Sequence, residues 1–175
     1  WGLHPPSVLC ISMEIQEALI RFVINKVLER NAKELEVLER DTEKLTKADA
    51  PFKKMTHREA IDHLKAKGLE IDYNDDFGAE EEEKLTEDFD VPLFIEKWPK
   101  DIKSFYMKRD PEDPNLVLGS DMIAPEGFGE LIGGSQREDD HDKLLERIKK
   151  EGYDIKDYQW FLDLRKYGSV PHSGF

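Results

Sequence analysis

The apolar residues of this 175-residue chain change their spacing once, near Val91, and no other feature constrains the fold as strongly. Before that point Ile15, Leu19, Phe22 and Val23, then Leu28, Ala32, Leu35 and Leu38, recur at the three- and four-residue intervals of a helix face. After it, Val91-Pro92-Leu93-Phe94-Ile95, Ile102 to Met107, Leu116 to Ile123 and Phe128 to Arg137 read as four strands. Turn residues separate them at Trp98-Pro99, Asp110 to Asn115 and Pro125-Glu126-Gly127. Connections this short imply antiparallel pairing. Two helical patterns close the chain, so the expected class is α+β, with a helical part over 13–90 and a sheet with closing helices over 91–175.

Local signals set the expected helix ends. Ser12 can cap a first helix running to about Arg40. Pro51 to Met55 reads as a short extended piece. Thr56-His57-Arg58-Glu59 follows as a capping box, opening a helix that buries Ala60, Ile61 and Leu64 and stops at Gly68. Asp75-Asp76-Phe77-Gly78 is a turn. Glu80 to Glu83 then form the acidic first turn of a short helix carrying Leu85 and Phe89, where negative charge suits the helix dipole. Asp139 or Asp140 caps the first closing helix, with Leu144, Leu145 and Ile148 inward and Gly152 at its end. Asp154 caps the second, expected to bury Tyr158, Phe161, Leu162 and Tyr167 before Gly168. Residues 1–12, apolar and proline-rich without either period, are expected to stand outside the native fold.

Composition narrows the function classes. With 26 basic and 39 acidic side chains the formal net charge is −13, yet 38% apolar and 10% aromatic content is too much for a disordered acidic chain. A body of this length builds a core without covalent staples, and Cys10, the one cysteine, allows no disulfide framework. Nor does it have a basic neighbour to activate it. No apolar run reaches the ~18 residues of a membrane span and no basic-then-apolar leader opens the chain, so a cytoplasmic protein without a membrane partner is expected. An isoelectric point near 4.9 opposes a broad phosphate-binding surface. His57 and His63 share a helix at the wrong spacing for one metal, and His141 stands alone, which argues against zinc.

The richest stretch runs from Asp121 to Glu138. It carries Gly133-Gly134 inside a strand, where glycine costs entropy and packs nothing. One reading is a bulge at a sheet edge; the other is a floor over which a ligand meets the backbone, with Glu130 and Arg137 supplying opposite charges. Strict alternation puts these two on opposite faces, so a shared pocket requires a one-residue register shift, expected at the double glycine.

Asp121 to Glu138, Tyr158 to Phe175 and Ile102-Lys103-Ser104-Phe105-Tyr106-Met107-Lys108 together resemble the asparaginyl-tRNA synthetases of the bacterial type, with Gly-Glu-Leu-Ile-Gly-Gly-Ser-Gln-Arg-Glu the most specific part. Asp75-Asp76-Phe77-Gly78 belongs to the same pattern, and the resemblance covers about Glu14 to Phe175. It implies part of a class II catalytic domain over 13–175, an antiparallel sheet flanked by helices, without the anticodon-binding barrel and the three class-defining motifs. It also implies ATP-dependent activation of asparagine and transfer to tRNA, a homodimer, and Mg2+ with ATP as co-substrate. Glu130 is then the metal and ATP ligand and Asp121 a second metal ligand or its support. Arg137 binds the amino-acid side chain, Tyr106 faces its ammonium end, and Gly133 and Gly134 let substrate lie against backbone. His172 positions a turn. This segment by itself is expected to keep part of that geometry without useful turnover. A synthetase paralogue making free asparagine from aspartate and a non-catalytic binding module on the same sheet are the alternatives.

Overall fold

The computed structural model describes residues 7–175. Its centre is a five-stranded sheet in the order β1 (Lys53–Thr56), β2 (Leu93–Pro99), β3 (Leu116–Ala124), β4 (Gly129–Gln136) and β5 (Ser173–Gly174). The three pairings from β2 to β5 are antiparallel, as the short connections imply, and β1 joins the edge of β2 in parallel, which makes the sheet a mixed one. The parallel pair is possible because α4 (His57–Ala66) and α5 (Ala79–Thr86) carry the chain back between the two strands. Thr56 ends β1 and caps α4: its hydroxyl accepts the Glu59 amide while the Glu59 carboxylate accepts the Thr56 amide, the expected capping box.

Helix α1 (Val8–Arg30) begins earlier than Ser12. Ser7 is the cap, its side chain accepting from the Cys10 amide at 3.1 Å, and Leu9 and Ser12 are buried. Of the head expected to stand outside the fold, residues 7–12 thus cap and open this helix; residues 1–6 lie outside the described residues. The helix breaks at Asn31, and α2 (Ala32–Val37) and α3 (Thr42–Thr46) follow. Its buried side is Leu9, Met13, Gln16, Ile20 and Ile24, whereas Ile15, Leu19, Phe22 and Val23 face outward, with Phe22 60% exposed.

Strands β2 and β3 bury both faces. Leu93, Ile95, Val117 and Ile123 point toward α4 and α5, packing with Ala60, Leu64 and Leu85. Phe94 and Met122 point the other way, toward Leu9 and Met13 of α1. A third cluster joins Phe105 to Leu144 and Ile148 of α6 (His141–Lys150) and Leu162 of α7 (Ile155–Lys166), capped by Asp140 and Asp154 as expected. Tyr167 does not join it: it closes α7 at 78% exposure.

The expected strand over Ile102 to Met107 does not form. Arg147 donates to the carbonyls of Lys100 and Lys103, and the Met107 amide bonds back to Ser104, so the groups a ladder needs are already engaged. The apolar spacing there arises because Ile102 packs in the first cluster and Phe105 in the third. Isolated bridges pair Met107 with Arg137 and Arg109 with Val117.

Candidate functional site

Two one-residue irregularities build the site. In β2 the register slips between Glu96 and Trp98, and the intervening Lys97 takes φ 56°. This returns Trp98 to the face of Ile95, where its ring lies 4.6 Å from that of His57 and 5.0 Å from that of Phe77. In β4 the slip falls at Leu131: Ile132 pairs with Met122 and Glu130 with Ile123. The expected register shift between Glu130 and Arg137 therefore exists, but at Leu131 and not at the double glycine. Alternation from there sets Glu130, Gly133 and Arg137 on the face that β3 lines with Gly119, Asp121 and Ile123.

Gly133 and Gly134 part company. A Cβ on Gly133 would lie 2.7 Å from Glu130 Oε1 and 3.6 Å from Asp121 Oδ1, so both carboxylates converge on that bare backbone. A Cβ on Gly134 would meet Gln16 Nε2 at 2.8 Å and Phe175 Cβ at 3.3 Å. Gly134 thus faces α1, away from the acids, and its absent side chain makes room for helix packing.

At the acidic end the structure adds residues that sequence reasoning missed. Lys103 Nζ donates to Asp121 Oδ2 at 2.9 Å and to Asp76 Oδ1 at 3.0 Å, lies 3.7 Å from the Trp98 ring centroid, and has a side chain only 13% exposed. Burial opposes its charge, but the paired carboxylates outweigh that and hold the ammonium above its ordinary value. Glu82 of α5 accepts the Glu130 amide at 3.1 Å. Burial pushes the Glu82, Asp121 and Glu130 carboxyls up; the Asp121 charge adds to the effect on Glu130, and Lys103 offsets only part of the effect on Asp121. The signal for Lys103 was a lone cation inside the apolar Ile102 to Met107 stretch; nothing local marked Glu82 among its acidic neighbours.

Among the described residues no group of three or more His, Cys, Asp or Glu side chains converges to hold a metal ion by itself. Two carboxylate oxygens meeting over Gly133 do suit Mg2+, which takes one or two carboxylates and fills its octahedron with phosphate oxygens and water.

At the other end the Arg137 guanidinium lies over the Tyr106 ring, 4.6 Å from its centroid. Its backbone is pinned: the Arg137 amide donates to the His172 carbonyl at 2.9 Å, the Glu138 amide to Tyr106 at 2.9 Å, and Arg165 to the Glu138 carbonyl at 3.0 Å. Among the described residues no carboxylate lies within ion-pair distance of the guanidinium. Gly174 of β5 lets it pass, since a Cβ there would lie 3.1 Å from Nη2. An unpaired planar fork on an aromatic support can take a carboxylate, phosphate or carboxamide oxygen.

Comparison with known proteins gives the family of the chain. The family model "tRNA synthetases class II (D, K and N)" matches residues 11–175. The chain is 55% identical over 163 residues to an asparagine–tRNA ligase of Pyrococcus horikoshii, covering 93% of this chain and 38% of that protein. It is 49% identical over 164 residues to the enzyme of the same name from Pelotomaculum thermopropionicum. Among solved structures, asparaginyl-tRNA synthetase from Pyrococcus horikoshii complexed with asparaginyl-adenylate superposes with a TM-score of 0.91 at 53% identity, over 97% of this chain and 39% of that one. The aspartyl tRNA synthetase of Entamoeba histolytica matches with a TM-score of 0.80 at 28% identity, over 93% of this chain and 34% of that one. The chain thus spans somewhat over a third of the length of the relatives it matches. On the family match, the shared fold and these identities, the chain belongs to the class II tRNA synthetases of the D, K and N group.

Proposed function

We propose that this chain forms the amino-acid-facing and ion-facing floor of an asparagine–tRNA ligase, which activates asparagine with ATP and passes it to tRNA. The observation that carries the reading is the single sheet face holding Glu130 and Asp121 at one end and an unpaired Arg137 on Tyr106 at the other. The names of its relatives and the adenylate in the superposed structure support the choice of substrate.

In that reaction the α-carboxylate of asparagine attacks the α-phosphorus of ATP and pyrophosphate leaves; the terminal ribose hydroxyl of tRNA then takes the acyl group and AMP leaves. The attacking carboxylate is already ionised near neutrality, so the floor must position and neutralise rather than supply a base. Arg137 donates to the side-chain carbonyl oxygen of asparagine, held in plane by Tyr106, whose hydroxyl is directed to the substrate ammonium. Bare backbone at Gly133 lets the reacting groups come close, while Gly134 takes no part. Glu130 Oε1 and Asp121 Oδ1 would hold Mg2+. That ion supplies neutralisation of phosphate charge. Arg137 would hold an aspartate carboxylate at least as well, so rejecting aspartate requires a further group that accepts from the amide NH2. A homodimer in the cytoplasm goes with this reading, as the family resemblance implies; no helix among the described residues is long and apolar enough to cross a membrane.

In the ligase that contains this segment, Arg137→Ala is expected to raise the asparagine KM by roughly 100-fold while leaving the ATP KM within about threefold. Pyrophosphate exchange at varied asparagine and ATP measures both, and equal effects would remove Arg137 from the amino-acid pocket.

A further inference from the structure

Among the described residues Lys103 is the one cation in contact with the acidic face, and its geometry is that of a ligand in reverse. The ammonium sits between carboxylates from two elements, Asp76 in the turn before α5 and Asp121 in the middle of β3, and is held against the Trp98 ring. It engages Asp121 Oδ2 and leaves Oδ1 pointing toward Gly133 and Glu130. Asp76 is exposed and among the described residues pairs with no other cation, so there Lys103 neutralises that side of the cluster.

We propose that the Lys103 ammonium is a resident counter-cation: it fills the position between Asp76 and Asp121 that a second divalent ion would otherwise take. Lys103 is thereby a positioning residue that restricts the site to one ion, held by Glu130 Oε1 and Asp121 Oδ1. The inference rests on the ion-binding part of the reading above, but its prediction has the opposite sign to that of a merely structural lysine. Loss of a structural strut loosens Asp121 and weakens ion binding. Loss of a competing cation leaves four carboxylates, Asp76, Glu82, Asp121 and Glu130, with no cation among the described residues to offset them, and strengthens it.

The test is Mn2+ titration of this chain followed by electron paramagnetic resonance, which counts bound ions, on the wild type, Lys103→Met, Lys103→Arg and Glu130→Gln, with circular dichroism to confirm folding. Removing a unit charge within contact distance is expected to tighten Mn2+ binding by at least about tenfold in Lys103→Met and to add one bound ion. Lys103→Arg, which keeps the charge, is expected to match the wild type and tests the idea even where the methionine variant does not fold: an extra ion in the arginine variant would overturn it. One ion in the wild type and one in Lys103→Met overturns the counter-cation while leaving the Glu130 site standing. No ion in the wild type but one in Lys103→Met supports the counter-cation and removes the Glu130 site. No ion in either removes both.

Discussion

The two faces of β4 are made from neighbouring residues, yet they obey different rules. Toward α1, Gly134 sits against Gln16 near a cluster of Phe94, Met122 and Ile132, and contacts there are close and mostly apolar. Toward α4 and α5, Gly133 lies beneath carboxylates whose charges are disfavoured by burial and by one another. A glycine on the first face is there for a neighbour inside the molecule; a glycine on the second leaves space for something outside it. The two identical residues can be told apart only by what stands above each of them.

Substitutions can sharpen or break this contrast, and the largest loss of stability belongs to the α1 face. Phe94→Ala removes a fully buried ring and is expected to cost about 3–5 kcal/mol in chemical denaturation while ion binding by the folded fraction is unchanged. Gly134→Ala forces a methyl against buried Gln16 and is expected to cost about 1–3 kcal/mol. Gly133→Ala meets only the ends of two acidic side chains that can swing aside, so it is expected to change stability by less than about 0.5 kcal/mol yet weaken Mn2+ binding by at least about tenfold. Equal stability costs for the two alanines would break the distinction between the faces.

The smallest expected effects are electrostatic, and their signs differ within one hairpin. Glu126, paired with Arg40 and Lys44, is held down at about 2. Its stabilisation is present above the unfolded carboxylate range and is lost as pH falls through about 2, so Glu126→Gln should cost about 1 kcal/mol or less near neutrality and nothing in strong acid. Glu130 is raised, so between its unfolded and folded values the native state binds the extra proton and stability falls as pH rises. Glu130→Gln should therefore add a few tenths of a kcal/mol above that window and nothing below it, the gain being small because the carboxylate is only partly buried and water screens it. Thermal melts from acid to neutral pH measure both slopes.

How much of this was legible in the sequence depends on the range of the interaction involved. The capping box at Thr56, the aspartate caps of α6 and α7 and the α+β order are local, and the sequence carries them within a few residues. The parallel β1 pairing was hidden because a four-residue edge strand has too few residues to show a period or a partner. The face of α1 was misread because a helix with apolar residues nearly all round offers more than one stripe, and only packing picks Leu9, Met13, Ile20 and Ile24 over Ile15 and Phe22. At the site, Asp121, Glu130, Gly133, Tyr106 and Arg137 came from sequence and do line one face, whereas Gly134 does not. Lys103 escaped notice because its partners lie 18 and 27 residues away.

Leu131 makes the hairpin a matter of parity. Drawn into the ladder opposite Ile123, that single residue would give unbroken pairing and would turn Glu130 over to the α1 side, beside Phe94 and Met122. A more regular sheet would then hold an orphaned charge in its greasy half and a lone arginine in the other. Only by leaving one residue unpaired does the hairpin keep the carboxylate and the guanidinium over the same face.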